Sequence, residues 1–433
     1  MPQKIGTLRL ALTFAGCFLG AGYVSGQELW QYFGAFGARG LLGLVLAVAL
    51  LGGTGVLLLR LSARTGIETM DALIVRADIP WLRTVVGVLT AALLFGVVCI
   101  MAAGIGALGE QMLGLPVWLG AAIACVLIAA AAYFGLGGMV SVFTVAVPCM
   151  IVAALVIAGI RLHRTGLTAA AFAAGDTNPM LGNWATSAVN YAAYNFFATV
   201  GILAPLTRHL KKPGTAVWGT VLGCVLLLAV YMGLAYLGAT VSAQYTSEIG
   251  RAQLVMAIVE ALMGKTGMII FGIVVGLACV TTAVALTSSA AAYFAKLCRG
   301  KVPYKVFVIV ICVFSAVVSN LGLDRIVAIA APVLDVVYPP TLVLIFISLV
   351  VPRLPDRISR GAVIGALLMS VLCTLDGYGV PLTFLHKLPL FELGFAWVLP
   401  SVLFGAVAAV LPHRKEKAGK AEPACAGANG KQG

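Results

Sequence analysis

Residues 13–28 read TFAGCFLGAGYVSGQE, an apolar run that becomes glycine-rich and then polar. Each glycine inside a helix costs about 1 kcal/mol relative to alanine. The glycines at positions 20, 22 and 26 therefore predict that a membrane-spanning helix is interrupted here. In a bilayer, an unwound backbone persists only where protein or a wet cavity satisfies its polar groups. The stretch thus predicts a binding site near the bilayer midplane, and close helix packing through small residues is the alternative.

The composition is that of a helical membrane protein. Of the 433 residues, 61% are hydrophobic and only 10% are charged, which is too little charge for a soluble surface. We predict an all-α polytopic membrane protein with a single transmembrane domain over residues 1–412. Its twelve spans are placed at about 7–33, 40–61, 83–113, 117–135, 139–161, 182–207, 214–240, 266–297, 303–321, 325–351, 360–379 and 394–412.

The basic residues are distributed asymmetrically between the loops. Most of the 28 Lys and Arg fall in every second loop and in the two termini. By the positive-inside rule, this pattern predicts an inner (plasma) membrane protein with both termini cytoplasmic. The net charge of +13 therefore reflects membrane orientation and not nucleic-acid binding. Residues 413–433 are rich in Lys, Gly and Ala, and we predict a disordered cytoplasmic tail.

Spans one and six both have polar interiors that weaken a helix. One face of span six carries polar and aromatic side chains at helical spacing: Ser187, Asn190, Tyr191, Tyr194 and Asn195. Two interrupted spans, five apart, are typical of inverted-repeat transporters. On this layout, repeat one covers about 7–161, repeat two about 182–351, and two extra helices about 360–412.

The string GAGYVSGQE at residues 20–28 resembles the opening motif of the YkvI-type bacterial membrane proteins. That family is similar to the amino acid–polyamine–cation (APC) superfamily, and the resemblance covers the whole chain. It implies the leucine-transporter fold, with five plus five inverted helices, two extra helices, and helices 1 and 6 interrupted. It also implies a secondary transporter that moves an amino acid or related small amphoteric solute by alternating access.

A local resemblance to sodium symporters of this fold implies sodium as the coupling ion. Their first helix reads A-G-N-A-V-G-x-G, similar to residues 15–22, and their eighth carries A-x-x-[TS]-[TS], similar to residues 278–282. Sodium is a hard cation that prefers oxygen ligands. The implied ligands are carbonyls and two hydroxyls, from Gly16, Leu19, Ala278, Thr281 and Thr282. The alternative is that the threonines bond their own helix carbonyls. Cys17 replaces the asparagine of a second sodium site, which implies one ion per substrate.

The resemblance also implies a substrate site at the break in the first helix. The N-terminus of a half-helix presents N–H groups and partial positive charge, which favour a carboxylate. Tyr194 and Asn195 correspond to the pocket-lining turn of the sixth helix. The predicted substrate-binding residues are Gly20, Ala21, Gly22, Tyr23, Ser25, Tyr191, Tyr194 and Asn195.

Two carboxylates are candidates for binding a proton or a substrate amine. Asp335 lies midway along span ten, and Glu28 follows the first-helix break. A carboxylate at membrane depth is a functional candidate, so proton coupling through Asp335 is an alternative to sodium. The structural alternative is that Asp335 satisfies backbone groups freed by Pro339 and Pro340.

No enzyme motif is found in the sequence, which lacks a Walker A loop, G-x-S-x-G and H-E-x-x-H. We therefore expect no catalysis and no cofactor besides the sodium ion. The expected partners are a small-molecule substrate and the lipid bilayer, without nucleic acid, and the oligomeric state is left open. A nutrient-sensing receptor on the same fold, without coupled flux, is the alternative function.

The predicted topology can be tested with single cysteines introduced after the native cysteines are replaced. Cysteines at positions 211 and 299 should react with an impermeant thiol reagent only from the cytoplasmic side. Cysteines at positions 164 and 265 should react only from outside, because they lie in the loops poor in basic residues. Labelling of positions 164 and 211 from the same side would contradict the twelve-span arrangement.

Overall fold

The computed structural model describes residues 4–20, 32–65, 80–166, 183–239, 254–299, 301–321, 323–350, 354–391 and 394–410. These residues form twelve α-helices: α1 Thr7–Phe18, α2 Ala38–Thr65, α3 Pro80–Leu113, α4 Val117–Ala132, α5 Gly135–Thr165, α6 Trp184–Leu206, α7 Pro213–Ala239, α8 Leu254–Leu297, α9 Tyr304–Val318, α10 Leu323–Val350, α11 Asp356–Gly377 and α12 Val398–Val410. In the described part of the chain, seven helices are long and apolar enough to cross a membrane. The predicted tail at 413–433 lies outside the described residues.

The eighth helix contains a sharp bend. Gly264 has φ 68° and ψ −167°, a conformation that glycine adopts without steric cost. It separates a short first part of the helix, which begins at Leu254, from the long apolar part that continues to Leu297.

The sixth helix is continuous, so the predicted interruption of this helix is wrong. It begins with a capping box, in which the Asn183 side chain accepts from the Thr186 N–H and the Thr186 hydroxyl accepts from the Asn183 N–H. Farther along, the Asn195 amide donates to the Tyr191 carbonyl at 3.1 Å and the Thr199 hydroxyl donates to the Asn195 carbonyl at 2.8 Å. Because these polar side chains bond their own helix, they do not unwind it.

The main core is built around α1, whose Leu10, Phe14 and Phe18 are fully or almost fully buried. This helix packs mainly against α7 and also against α5, while α2 packs against α6 and α3 against α8. The last two helices pack against each other, and α11 also packs against α10. Their apolar contacts form clusters separate from the main core.

Small residues allow α1 and α7 to approach closely. A Cβ atom on Gly219 would lie 2.7 Å from Leu10 Cδ2, and one on Gly223 would lie 2.9 Å from the Ala11 carbonyl oxygen. Transmembrane helices commonly use such positions to bring backbones together. The glycines of α7 therefore fix how closely α1 is held.

A backbone bridge ties the start of α1 to the end of α6. The Ile5 N–H donates to the His209 carbonyl at 2.7 Å, and the Lys211 N–H donates to the Ile5 carbonyl at 3.1 Å. The two segments run parallel where Ile5 pairs with Leu210, and Ile5 is buried. The entry to α1 and the exit from α6 are thereby held together.

Gly223→Ala should destabilise the protein by about 1–3 kcal/mol, because the added methyl overpacks against backbone. Gly53→Ala is the matched control, since a Cβ atom on Gly53 of α2 would meet nothing within 4 Å. The thermal unfolding midpoint in detergent should fall for Gly223→Ala and stay level or rise slightly for Gly53→Ala. Equal midpoints in the two variants would contradict the close contact between α1 and α7.

Candidate functional site

The first helix ends inside the protein, where its interruption was predicted. It has 12 residues, about 18 Å at 1.5 Å per residue, which is short of the roughly 30 Å of a bilayer core. Leu19 leaves the helical conformation at φ −80° and ψ 58°, and it is fully buried. The described part of the chain stops at Gly20, so the remainder of the predicted break lies outside it.

A pair of tyrosines reaches the end of α1. The last four carbonyls of a helix have no partner within it. The Phe18 carbonyl accepts a hydrogen bond of 2.9 Å from the hydroxyl of Tyr231 on α7. That hydroxyl lies 2.7 Å from the hydroxyl of Tyr191 on α6. Sequence reasoning missed Tyr231, because it is one of two tyrosines in a largely apolar helix and nothing in the sequence sets it apart from Tyr236.

Tyr191 lies in the protein interior. Its side chain is fully buried, with the Tyr32 and Phe33 rings at centroid distances of 5.3 and 5.1 Å. The neighbouring Ser187 hydroxyl donates to the Tyr32 carbonyl at 2.6 Å. Tyr191 thus joins α6 to the segment that leads into α2, and its predicted contact with substrate stays a prediction.

Thr282 on α8 faces the end of α1. Its hydroxyl oxygen is buried and has no hydrogen-bond partner among the described residues. A Cβ atom placed on Gly20 would lie 3.6 Å from that oxygen. A buried hydroxyl left unsatisfied costs about 1–3 kcal/mol. The structure therefore brings together two of the predicted segments around a polar atom that a ligand could satisfy.

Thr281 bonds its own helix, as the alternative interpretation of this motif predicted. Its hydroxyl donates to the Ala278 carbonyl at 2.9 Å. Hydroxyl and carbonyl oxygens both keep a free lone pair after one such bond, so both atoms can still coordinate a cation. No group of three or more His, Cys, Asp or Glu side chains in the described residues could hold a metal ion. The oxygen atoms that the described residues offer at this place are neutral hydroxyls and carbonyls.

Of the remaining predicted site residues, some pack against or bond other parts of the protein, and others lie outside the described part of the chain. Gly16 packs against α5, since a Cβ atom on it would lie 2.7 Å from Val147 Cγ2. Asn195 is partly buried and bonds its own helix. Tyr194 is on α6, but its side chain lies outside the described part. Five further residues also lie outside it: Ala21, Gly22, Tyr23, Ser25 and Glu28.

Asp335 has an exposed side chain on α10. Its proposed structural role conflicts with the chemistry of the two prolines. Pro339 and Pro340 remove N–H donors and so leave carbonyls unsatisfied, whereas an ionised carboxylate can only accept hydrogen bonds. Asp335 could satisfy these carbonyls only when protonated. The prolines free the carbonyls four residues before them, at positions 335 and 336, whereas the Thr341 hydroxyl bonds the Val337 carbonyl at 2.8 Å.

The chain is similar to branched-chain amino acid transporters. Residues 207–415 match the family model described as "Branched-chain amino acid transport protein". The chain is 32% identical over 214 residues to the branched-chain amino acid permease BraB of Bacillus subtilis, covering 48% of each chain. It is 34% identical over 245 residues to the branched-chain amino acid transport system 3 carrier protein of Pseudomonas aeruginosa, covering 54% of each. The chain thus spans about half the length of the curated relatives it matches.

These relatives are named permeases and carriers, in agreement with the prediction that the chain is not an enzyme. The family-model match includes α7 to α12, and with them the threonines of α8, but not α1. The match is to branched-chain amino acid transporters, whereas the motif at residues 20–28 was interpreted as YkvI-type. That narrower assignment and the APC superfamily stay predictions.

Solved structures resemble nearly the whole chain. A sodium-coupled sialic acid symporter in a substrate-bound outward-open state has a TM-score of 0.70 at 11% identity, covering 95% of this chain and 91% of that chain. MhsT in complex with L-phenylalanine has a TM-score of 0.58 at 16% identity, covering 94% and 98%. The chain has the fold of these transporters. The predicted leucine-transporter-like fold is confirmed at this level.

Thr282→Val should retain stability in sodium-free buffer, because the substitution removes a buried hydroxyl without a described partner. Thr220→Val is the matched control on α7, where the buried hydroxyl donates to the Ala216 carbonyl at 2.7 Å. Loss of that bond should cost about 1 kcal/mol. The two variants are compared by their thermal unfolding midpoints in choline chloride. Equal destabilisation of both variants would show that the Thr282 hydroxyl already has a partner.

Proposed function

We propose that the chain is a secondary active transporter that carries branched-chain amino acids in symport with sodium by alternating access. The observation that supports this function best is the end of α1 inside the protein, beside the Thr282 hydroxyl, which has no hydrogen-bond partner in the described part of the chain. Interrupted helices are where transporters of this fold hold substrate and ion. The names of the similar permeases supply the substrate class.

Helix packing supports the five-plus-five inverted repeat within the proposed single domain. The pair α1–α7 becomes α6–α2 when each helix is exchanged for the one five positions away, and both pairs are in contact. The pair α5–α8 likewise becomes α10–α3, again with both in contact. The proposed repeats cover residues 7–161 and 182–351, with α11 and α12 as the two extra helices.

The segments around the end of α1 favour a neutral substrate side chain. No charged residue occurs in residues 10–20, which cover the end of α1, in Trp184–Leu206 of α6, or in residues 266–295 of α8. A charged side chain buried among these segments would therefore have no counter-ion from them, which is costly. An aliphatic side chain has no such requirement, and backbone groups at the helix break can bind the carboxylate and the ammonium group.

The proposed sodium site combines the two hydroxyls of Thr281 and Thr282 with the carbonyls of Gly16, Leu19 and Ala278. These neutral oxygens suit a hard monovalent cation. The ion would give the Thr282 oxygen the partner that it lacks among the described residues. We propose one ion per substrate, because Cys17 stands at the position of the second site. We also propose an inner-membrane location with both termini cytoplasmic.

Purified protein in liposomes should take up L-valine, L-leucine and L-isoleucine when an inward sodium gradient is applied, and far less when choline replaces sodium. L-lysine should be a poor substrate, because the segments of α1, α6 and α8 named above supply no counter-ion for its side chain. Sodium should also strengthen valine binding, since the coupling of two ligands is reciprocal. Thr282→Val should reduce the sodium effect at least tenfold, while Thr220→Val should leave it unchanged.

Two other outcomes separate the alternative functions. Uptake that follows a pH gradient without sodium, and that Asp335→Asn abolishes, would replace sodium coupling with proton coupling. Valine binding without uptake under either gradient would favour the nutrient receptor. Under the sodium proposal, Asp335→Asn keeps sodium-driven uptake near the parent level.

A further inference from the structure

Three helices meet in one chain of hydrogen bonds at the end of α1. The Tyr231 hydroxyl donates to the Phe18 carbonyl at 2.9 Å and lies 2.7 Å from the Tyr191 hydroxyl. A phenol has a single hydrogen to donate, and Tyr231 gives its hydrogen to Phe18. Within the pair, Tyr191 is therefore the donor and Tyr231 the acceptor. The chain runs from α6 through α7 to α1.

The hydrogen bond from Tyr231 holds the peptide unit that links Phe18 to Leu19. Phe18 is the last helical residue of α1, and its carbonyl belongs to the rigid plane that also contains the Leu19 nitrogen. Fixing this carbonyl therefore fixes the orientation in which the chain enters Leu19 and then Gly20. Gly20 is the residue that faces the Thr282 hydroxyl. The tyrosine pair thus controls the geometry of the backbone beside the candidate site.

We propose that Tyr231 is a positioning residue for substrate and ion binding, and that Tyr191 transmits the position of α6 to it. This inference rests on the proposed transport function. Tyr191 and Tyr231 are both fully buried, so water does not readily replace their hydroxyls. Because the donor to Tyr231 stands on α6, a shift of α6 changes the support of the α1 end directly.

Conservative substitutions isolate the hydroxyls. Tyr231→Phe removes the bond to Phe18, whereas Tyr191→Phe leaves that bond in place and removes the hydrogen bond that Tyr191 donates to Tyr231. Tyr236→Phe is the matched control, because Tyr236 is a buried tyrosine on the same helix and its hydroxyl donates to a backbone carbonyl, that of Gly166, at 2.8 Å. All three variants keep the aromatic ring and so the packing.

The first readout is hydrogen–deuterium exchange of the α1 end, followed by mass spectrometry of peptides that cover residues 10–20. Local opening sets the exchange rate of such amides. An unsatisfied buried carbonyl favours opening, so Tyr231→Phe should speed exchange about tenfold. Tyr191→Phe should have a smaller effect, and the double variant should match Tyr231→Phe. Tyr236→Phe should leave this peptide unchanged.

The second readout is the kinetics of sodium-driven L-valine uptake. A positioning role predicts that Tyr231→Phe raises KM about tenfold with kcat within about twofold, because the site forms less often but still functions once formed. A purely structural role lowers the amount of folded protein, and so the maximal rate, without changing KM. Thermal midpoints of Tyr231→Phe and Tyr236→Phe show whether their global stabilities match.

Faster exchange and a raised KM in Tyr231→Phe, with neither in Tyr236→Phe, support the proposal. Exchange that equals the parent or the control overturns it, and so does faster exchange with an unchanged KM. If the parent protein takes up no valine, the proposed function fails. The exchange experiment then still tests whether Tyr231 holds the end of α1. Unchanged exchange in Tyr231→Phe overturns that role independently of transport.

Discussion

The main constraint on this structure is that α1 ends inside the protein, where bulk water cannot satisfy its free carbonyl groups. A membrane helix satisfies its own backbone, but each end leaves carbonyls or N–H groups that need another partner. In α1 this end falls inside the protein, at Phe18 and Leu19, and not at a membrane surface. The surrounding helices must supply donors there, and Tyr231 of α7 is one of them.

Close packing makes this arrangement possible. The glycines of α7 bring its backbone against α1, and Gly16 brings α1 against α5. At these distances, one tyrosine hydroxyl can reach the α1 carbonyl from a neighbouring helix. The glycines therefore set the short distance between the helices, and this distance allows Tyr231 to bond the carbonyl at the end of α1.

Sequence reasoning identified the helices and the first break because apolar length and clustered glycines are local signals. The boundaries of α3, α5 and α7 lie within a few residues of the predicted spans. It failed on α6, where the polar and aromatic face that includes Asn195 was taken as a sign of interruption, but the Asn195 amide bonds the Tyr191 carbonyl of the same helix. It also missed Tyr231, because the importance of this residue comes from the close approach of helices far apart in sequence. The sequence showed the motif that contains Thr282, but only the packing shows that its hydroxyl is buried without a partner among the described residues.

The hydrogen bond between Tyr231 and Phe18 also constrains how the protein is made. It joins residues 213 positions apart, and the bonds from Tyr293 to Thr84 and from Cys99 to Ser315 bridge 209 and 216 positions. The ribosome releases α1 long before α7 exists, so the carbonyls at the end of α1 wait in an incomplete environment. Assembly of the interior therefore follows synthesis of the second half of the chain, when the partners of α1 arrive. Each half of the chain needs the other to satisfy its buried polar groups, so the two halves reach their final packing together.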